Sequence, residues 1–235
     1  MGLDWIVGHK PRPGHESEFQ GIVSTLLRDK LGKVDRAAIP RRRWDGLARI
    51  FGKPGATPGA SEDLKRRYDE IGIPAHATLN APRVGSDPAA DDWARTTHAA
   101  QGIAKPLDEW LAEMRGYYVL DLVPPCDGMP SYSNAAFGYV ERSSFRAQFL
   151  KKTTAIIGDH LLEACYEVKF APDLSAFGRA LQVRANAYAK ARGLGALEKP
   201  PEDPDSEEGR LDIVMSAARW SQFWGDRGHF LEPSF

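Results

Sequence analysis

Thiol, carboxylate, hydroxyl and amide groups crowd together most densely in VPPCDGMPSYSNAA, the stretch that begins at Val123. Within residues 124–136, Asp127 is a candidate general acid or base, and Cys126 is a candidate nucleophile or lining residue. Tyr132, Ser133 and Asn134 can hydrogen-bond a small ligand, and the prolines restrict the loop that would hold it. Arg146, on the helix expected next, offers a cation to an anionic ligand. The competing reading is turn chemistry, with Asp127 bonding its own backbone and Gly128 taking a positive φ. A nucleophilic Cys126 also needs a neighbouring cation, helix N-terminus or histidine to lower its pKa, and no local motif supplies one.

A second candidate surface is electrostatic. Residues 28–53 carry nine Lys or Arg against three Asp. Within the Arg-rich segment 36–53, Arg41, Arg42 and Arg43 beside Trp44 suit an acidic protein surface, with Trp44 free to stack. The formal net charge of the whole chain is −1, so no overall field draws it to nucleic acid. A solvated loop, its charges met by water or by the acidic 198–208 segment, explains the same residues without a partner.

Other motifs exclude more than they suggest. No two of the six histidines stand three or four apart on an expected helix, and no Glu-x-x-His unit occurs. Neither a metal nor a cofactor is therefore expected. FGKPGATPGA lacks the order of a phosphate-binding P-loop, and the serine-elbow and kinase motif sets are missing. Cys165 falls on an apolar helical face and reads as core, whereas Trp220, Trp224 and His229 form either core or an aromatic pocket.

The elements that must position these groups are helices. Phe19, Ile22, Val23, Leu26, Leu27 and Leu31 mark the first, ended by Gly32. Further helices are predicted from Ser61 to Gly72, from Pro106 to Gly116 and from Asp173 to Gly193 or Gly195. Between Ser143 and Tyr166 the pattern breaks at Gly158, giving two helices or one kinked helix, and Ser206 opens a largely apolar helix through Trp224. YYVLDLV at 117–123 reads as a strand, with FGYVE at 137–141 as its hairpin partner.

The expectation is a mainly α, single-domain bundle over residues 1–235, with about seven helices, one small β-hairpin and long Pro-containing loops. Residues 1–14 form an extended arm, 196–209 an acidic Pro-rich linker and 225–235 an extended tail, with Trp5 and Phe230 as apolar anchors. Two cysteines, no signal-peptide pattern and no membrane-length apolar run suggest a soluble, cytoplasmic protein. The functional expectation is small-molecule binding under the 124–136 loop, with catalysis left open. The alternative is a non-catalytic interaction module using 36–53.

Overall fold

The computed structural model describes residues 3–32, 58–123, 132–134, 139–141, 143–195 and 201–234. Along the chain run β1 (Asp4–Val7), β2 (Lys10–Pro11), α1 (Glu16–Gly32), α2 (Pro58–Ile71), β3 (Gly72–Ile73), α3 (Ala75–Thr78), α4 (Pro88–Ala100) and α5 (Leu107–Met114). A 3-10 turn at Leu120–Leu122 precedes β4 (Tyr132–Asn134), β5 (Tyr139–Glu141) and β6 (Ser144–Phe145). A 3-10 helix at Ala147–Thr153 leads into α6 (Thr154–Ala164), followed by α7 (Ala171–Arg192), α8 (Glu207–Asp226) and β7 (Leu231–Ser234). The fold is mainly α, as the helical periodicity predicts, and none of the described helices is long and apolar enough to cross a membrane. The residues gather into two compact units, Met1–Ile73 with Pro130–Phe235, and Pro74–Met129.

In the larger unit the two ends of the chain meet. β1 is the centre of a three-stranded antiparallel sheet, flanked by β6 and β7, with Asp4 opposite Ser234 and Val7 opposite Leu231. The terminal segments thus pair with each other as well as packing on the helices. Trp5 is fully buried: its Nε1 donates to the Cys165 carbonyl at 2.8 Å, and Phe145, Phe177 and Trp220 surround its ring at 5.2–5.8 Å. Phe230 is buried in a second cluster with Phe19, Ile22, Val23, Leu27 and Ile71, which seals α1 and α2 together. Trp220, Trp224, His229 and Cys165 are all buried core residues.

α7 and α8 lie antiparallel and very close. A Cβ placed on Gly178 would stand 2.9 Å from both the Ala218 carbonyl oxygen and the Gln222 nitrogen, and one on Gly225 would stand 2.6 Å from the Ser175 nitrogen. Glycine is what lets these two backbones approach. In α6 the break expected at Gly158 is present: that residue leaves helical geometry at φ 76° and ψ 165°, and two helical segments meet there across a kink.

The smaller unit departs from expectation in two places. Residues 117–123 are not a strand paired with 137–141. Tyr118 forms a single bridge with Arg83, backbone bonds tie 82–84 to 116–119, and Leu120–Leu122 turns as a 3-10 helix. β-branched and aromatic residues report a half-buried surface, which this short local pairing satisfies without a strand. In the larger unit, Tyr139–Glu141 pairs instead with Tyr132–Asn134, so the end of the expected 124–136 loop is itself β4. The second departure is α4, which hydrophobic periodicity does not announce because the residues it buries are Ala90 and Ala94.

Candidate binding pocket

α4 begins where the sequence supplies a cap. Asp87 accepts from the Ala89 N–H at 3.1 Å, Pro88 occupies the first turn, and Asp91 follows. Just upstream, Gly85 adopts φ 82° and donates its N–H to Asp91 Oδ1 at 2.6 Å, which fixes that carboxylate against the turn. Beneath it Val84, Ala90, Ala94 and Val119 form a small core, with Trp93, Leu111, Met114 and Leu122 packed on it.

α5 returns alongside α4 in the opposite direction. Trp110 Nε1 donates to the Ala94 carbonyl at 3.3 Å, and His98 Nε2 lies 2.7 Å from the Lys105 carbonyl, which can only accept. Asp108, Leu111, Ala112 and Arg115 stand at spacings of three, four and seven, so they line one face of this segment. Asp91 and Arg95 likewise share a face of α4.

Between these faces lies a concave pocket of about 490 Å³, lined by Val84, Gly85, Asp91, Arg95, Asp108, Leu111, Ala112 and Arg115. Its lining joins two carboxylates and two guanidiniums to a short apolar floor. Arg95 pairs outward with Asp92 at 3.0 Å. Among the described residues no ion pair joins any two of the four lining charges, and neither Asp108 nor Arg115 has an ion-pair partner. Arg115 instead packs its stem across Gly85, where a Cβ would meet Arg115 Cγ at 3.1 Å.

Three titratable groups elsewhere serve packing. In the smaller unit His76 stacks on Tyr118 at 3.7 Å, and burial together with the Arg83 charge holds the imidazole below its usual pKa. In the larger unit His229 is fully buried and its Nδ1–H donates to the Gly8 carbonyl at 2.7 Å; burial pushes its pKa down to about 4. Lys169 is also buried, and desolvation lowers its pKa against the opposing pull of Glu167, 3.2 Å away. Its ammonium sits 4.7 Å from the Phe177 ring centre.

The residues singled out in the sequence are not gathered into this pocket. Cys126 and Asp127 lie outside the described residues, as do Arg41, Arg42, Arg43 and Trp44. Tyr132, Ser133 and Asn134 form β4, opposite Glu141, Val140 and Tyr139. Arg146 is not within an α-helix but precedes the 3-10 helix, and its Nε lies 3.3 Å from Asp4 Oδ1 on β1. Among the described residues, no group of three or more His, Cys, Asp or Glu is placed to hold a metal ion.

What sequence reasoning missed is the charged lining of α4 and α5. The signal was present as an Asp-Pro cap followed by Asp91 and Arg95 one turn apart, but Trp93 is the single large apolar residue in α4 and forms no periodic stripe. No model of a known protein family matches the chain, and comparison with curated proteins and with solved structures likewise gives no match.

Proposed function

We propose that this chain is a small-molecule-binding protein whose site is the α4–α5 pocket. The observation that carries the reading is a concavity of about 490 Å³ whose four charged side chains are not neutralised by one another. Such a volume is in the range of small-ligand sites, which combine an apolar floor with a few polar groups that fix orientation. Two carboxylates and two guanidiniums around a short apolar floor suit the orientation of a polar small molecule. Cytoplasmic residence follows the cysteine composition.

The test is ligand-observed NMR with a mixture of small polar compounds against the wild type and Ala112→Trp, which fills the pocket from an exposed helical position. Saturable binding that the substitution abolishes, with the circular dichroism spectrum unchanged, is expected. Binding that survives the filled pocket, or no saturable binder for the wild type, contradicts the proposal.

The charge of 28–53 favours a second reading, in which Arg41, Arg42 and Arg43 engage an acidic protein surface. Retention on immobilised polyglutamate that falls with salt, and is lost in R41E/R42E/R43E, is its expected signature. Equal retention of the triple variant contradicts it.

A further inference from the structure

We infer that the α4–α5 pocket takes an ammonium–carboxylate zwitterion of the free amino-acid class. The inference rests on the pocket reading above and adds the chemistry of its occupant. Asp91 and Arg115 converge on the same residue from different elements: Asp91 Oδ1 accepts the Gly85 N–H at 2.6 Å, and the Arg115 stem lies against Gly85, 3.1 Å from where its Cβ would be. Despite meeting there, the two charges do not pair with each other. Opposite charges that approach one backbone position and stay apart leave a place for a ligand that carries both signs a few bonds apart. The ligand's ammonium meets Asp91, whose Oδ1 is already held, and its carboxylate meets the guanidinium fork of Arg115.

The opposite end repeats the motif. α4 and α5 are antiparallel, so Arg95 and Asp108 lie toward the end at which Trp110 bonds Ala94. Asp108, together with Arg95 once it turns from its pair with Asp92, can meet a polar side chain of the same ligand, with Leu111 and Ala112 flooring the space between.

Charge arithmetic separates this class from its rivals. Residues 74–129 hold four basic and eight acidic side chains, so the surroundings disfavour a dianion. A dication, in turn, must approach Arg95 and Arg115 without neutralising either. A zwitterion satisfies one of each sign and leaves the net charge of the site unchanged.

The experiment is isothermal titration of the full chain with a panel of free amino acids, their N-acetyl and amide derivatives, succinate and putrescine. Asp91→Asn keeps an oxygen for the Gly85 N–H while removing the charge, and Arg115→Gln removes the guanidinium from an exposed position. At least one free amino acid is expected to bind saturably, to lose tenfold or more in affinity on acetylation and on amidation, and to lose it likewise in each variant. Binding of succinate or putrescine in preference to every amino acid, lost in the same variants, overturns the ligand class while leaving the pocket standing. Amino-acid binding unchanged in both variants overturns the placement of the head group. No saturable binding of any panel member overturns the inference. If Ala112→Trp then abolishes binding of some other compound, the pocket reading survives that failure.

Discussion

His229 shows how much one side chain can report. Its neutral ring is enclosed by Trp224, 5.1 Å away edge to face, and tethered to Gly8, so protonation must bring an uncompensated charge into the core. The folded pKa of about 4 lies below the ordinary 6.5, so the unfolded chain binds the proton more readily between those values. The contribution of His229 to stability is therefore complete above about pH 6.5 and is lost progressively as the pH falls toward 4. Urea midpoints measured from pH 7.5 to 4.5 should decline in the wild type and decline much less in His229→Gln, whose amide can still donate to Gly8. An equal slope in both contradicts the account. His229 as core was readable from its place in an aromatic cluster, but its tether to Gly8 spans almost the whole chain and has no local signature.

Helix packing makes a sharper prediction about glycine. Gly178 and Gly21 both lie within helices, where replacing glycine with alanine ordinarily stabilises by about 0.5–1 kcal/mol. Around Gly21 nothing lies within 4 Å of the added carbon, so Gly21→Ala should realise that gain. At Gly178 the added methyl meets α8 backbone at 2.9 Å, and Gly178→Ala should destabilise by roughly 1–3 kcal/mol as the helices are forced apart. Chemical denaturation of the two variants checks the opposite signs. At this scale the sequence was legible wherever large apolar residues recur, as in α1, α7 and α8, whose limits fall within a few residues of those expected. It was silent where alanine and glycine do the packing. Ala90 and Ala94 hide α4, and with α4 half of the pocket's charge. Residues 117–123 misled for the converse reason, since their apolar types are satisfied by one bridge and a turn.

Across the molecule, the chain ends are structural parts of the larger unit. β7 covers β1 through four paired positions and continues to Lys169 through Leu231. Deleting residues 231–235 removes that strand and the buried Leu231, and should cost at least about 2 kcal/mol, seen as a lower thermal midpoint. An unchanged midpoint would show the terminal pairing to be dispensable. Charge too is organised regionally: a total of −1 hides a basic 28–53 and an acidic 74–129, a division that neither the total nor any single motif displays. Small-molecule binding in the α4–α5 pocket can be located residue by residue through amide chemical shifts during titration with the best-binding amino acid. Saturable shifts concentrated at Gly85, Asp91, Arg95, Leu111, Ala112 and Arg115 are expected. Shifts centred on β4, Arg146 or the 36–53 segment, with those six amides unmoved, would contradict binding in that pocket.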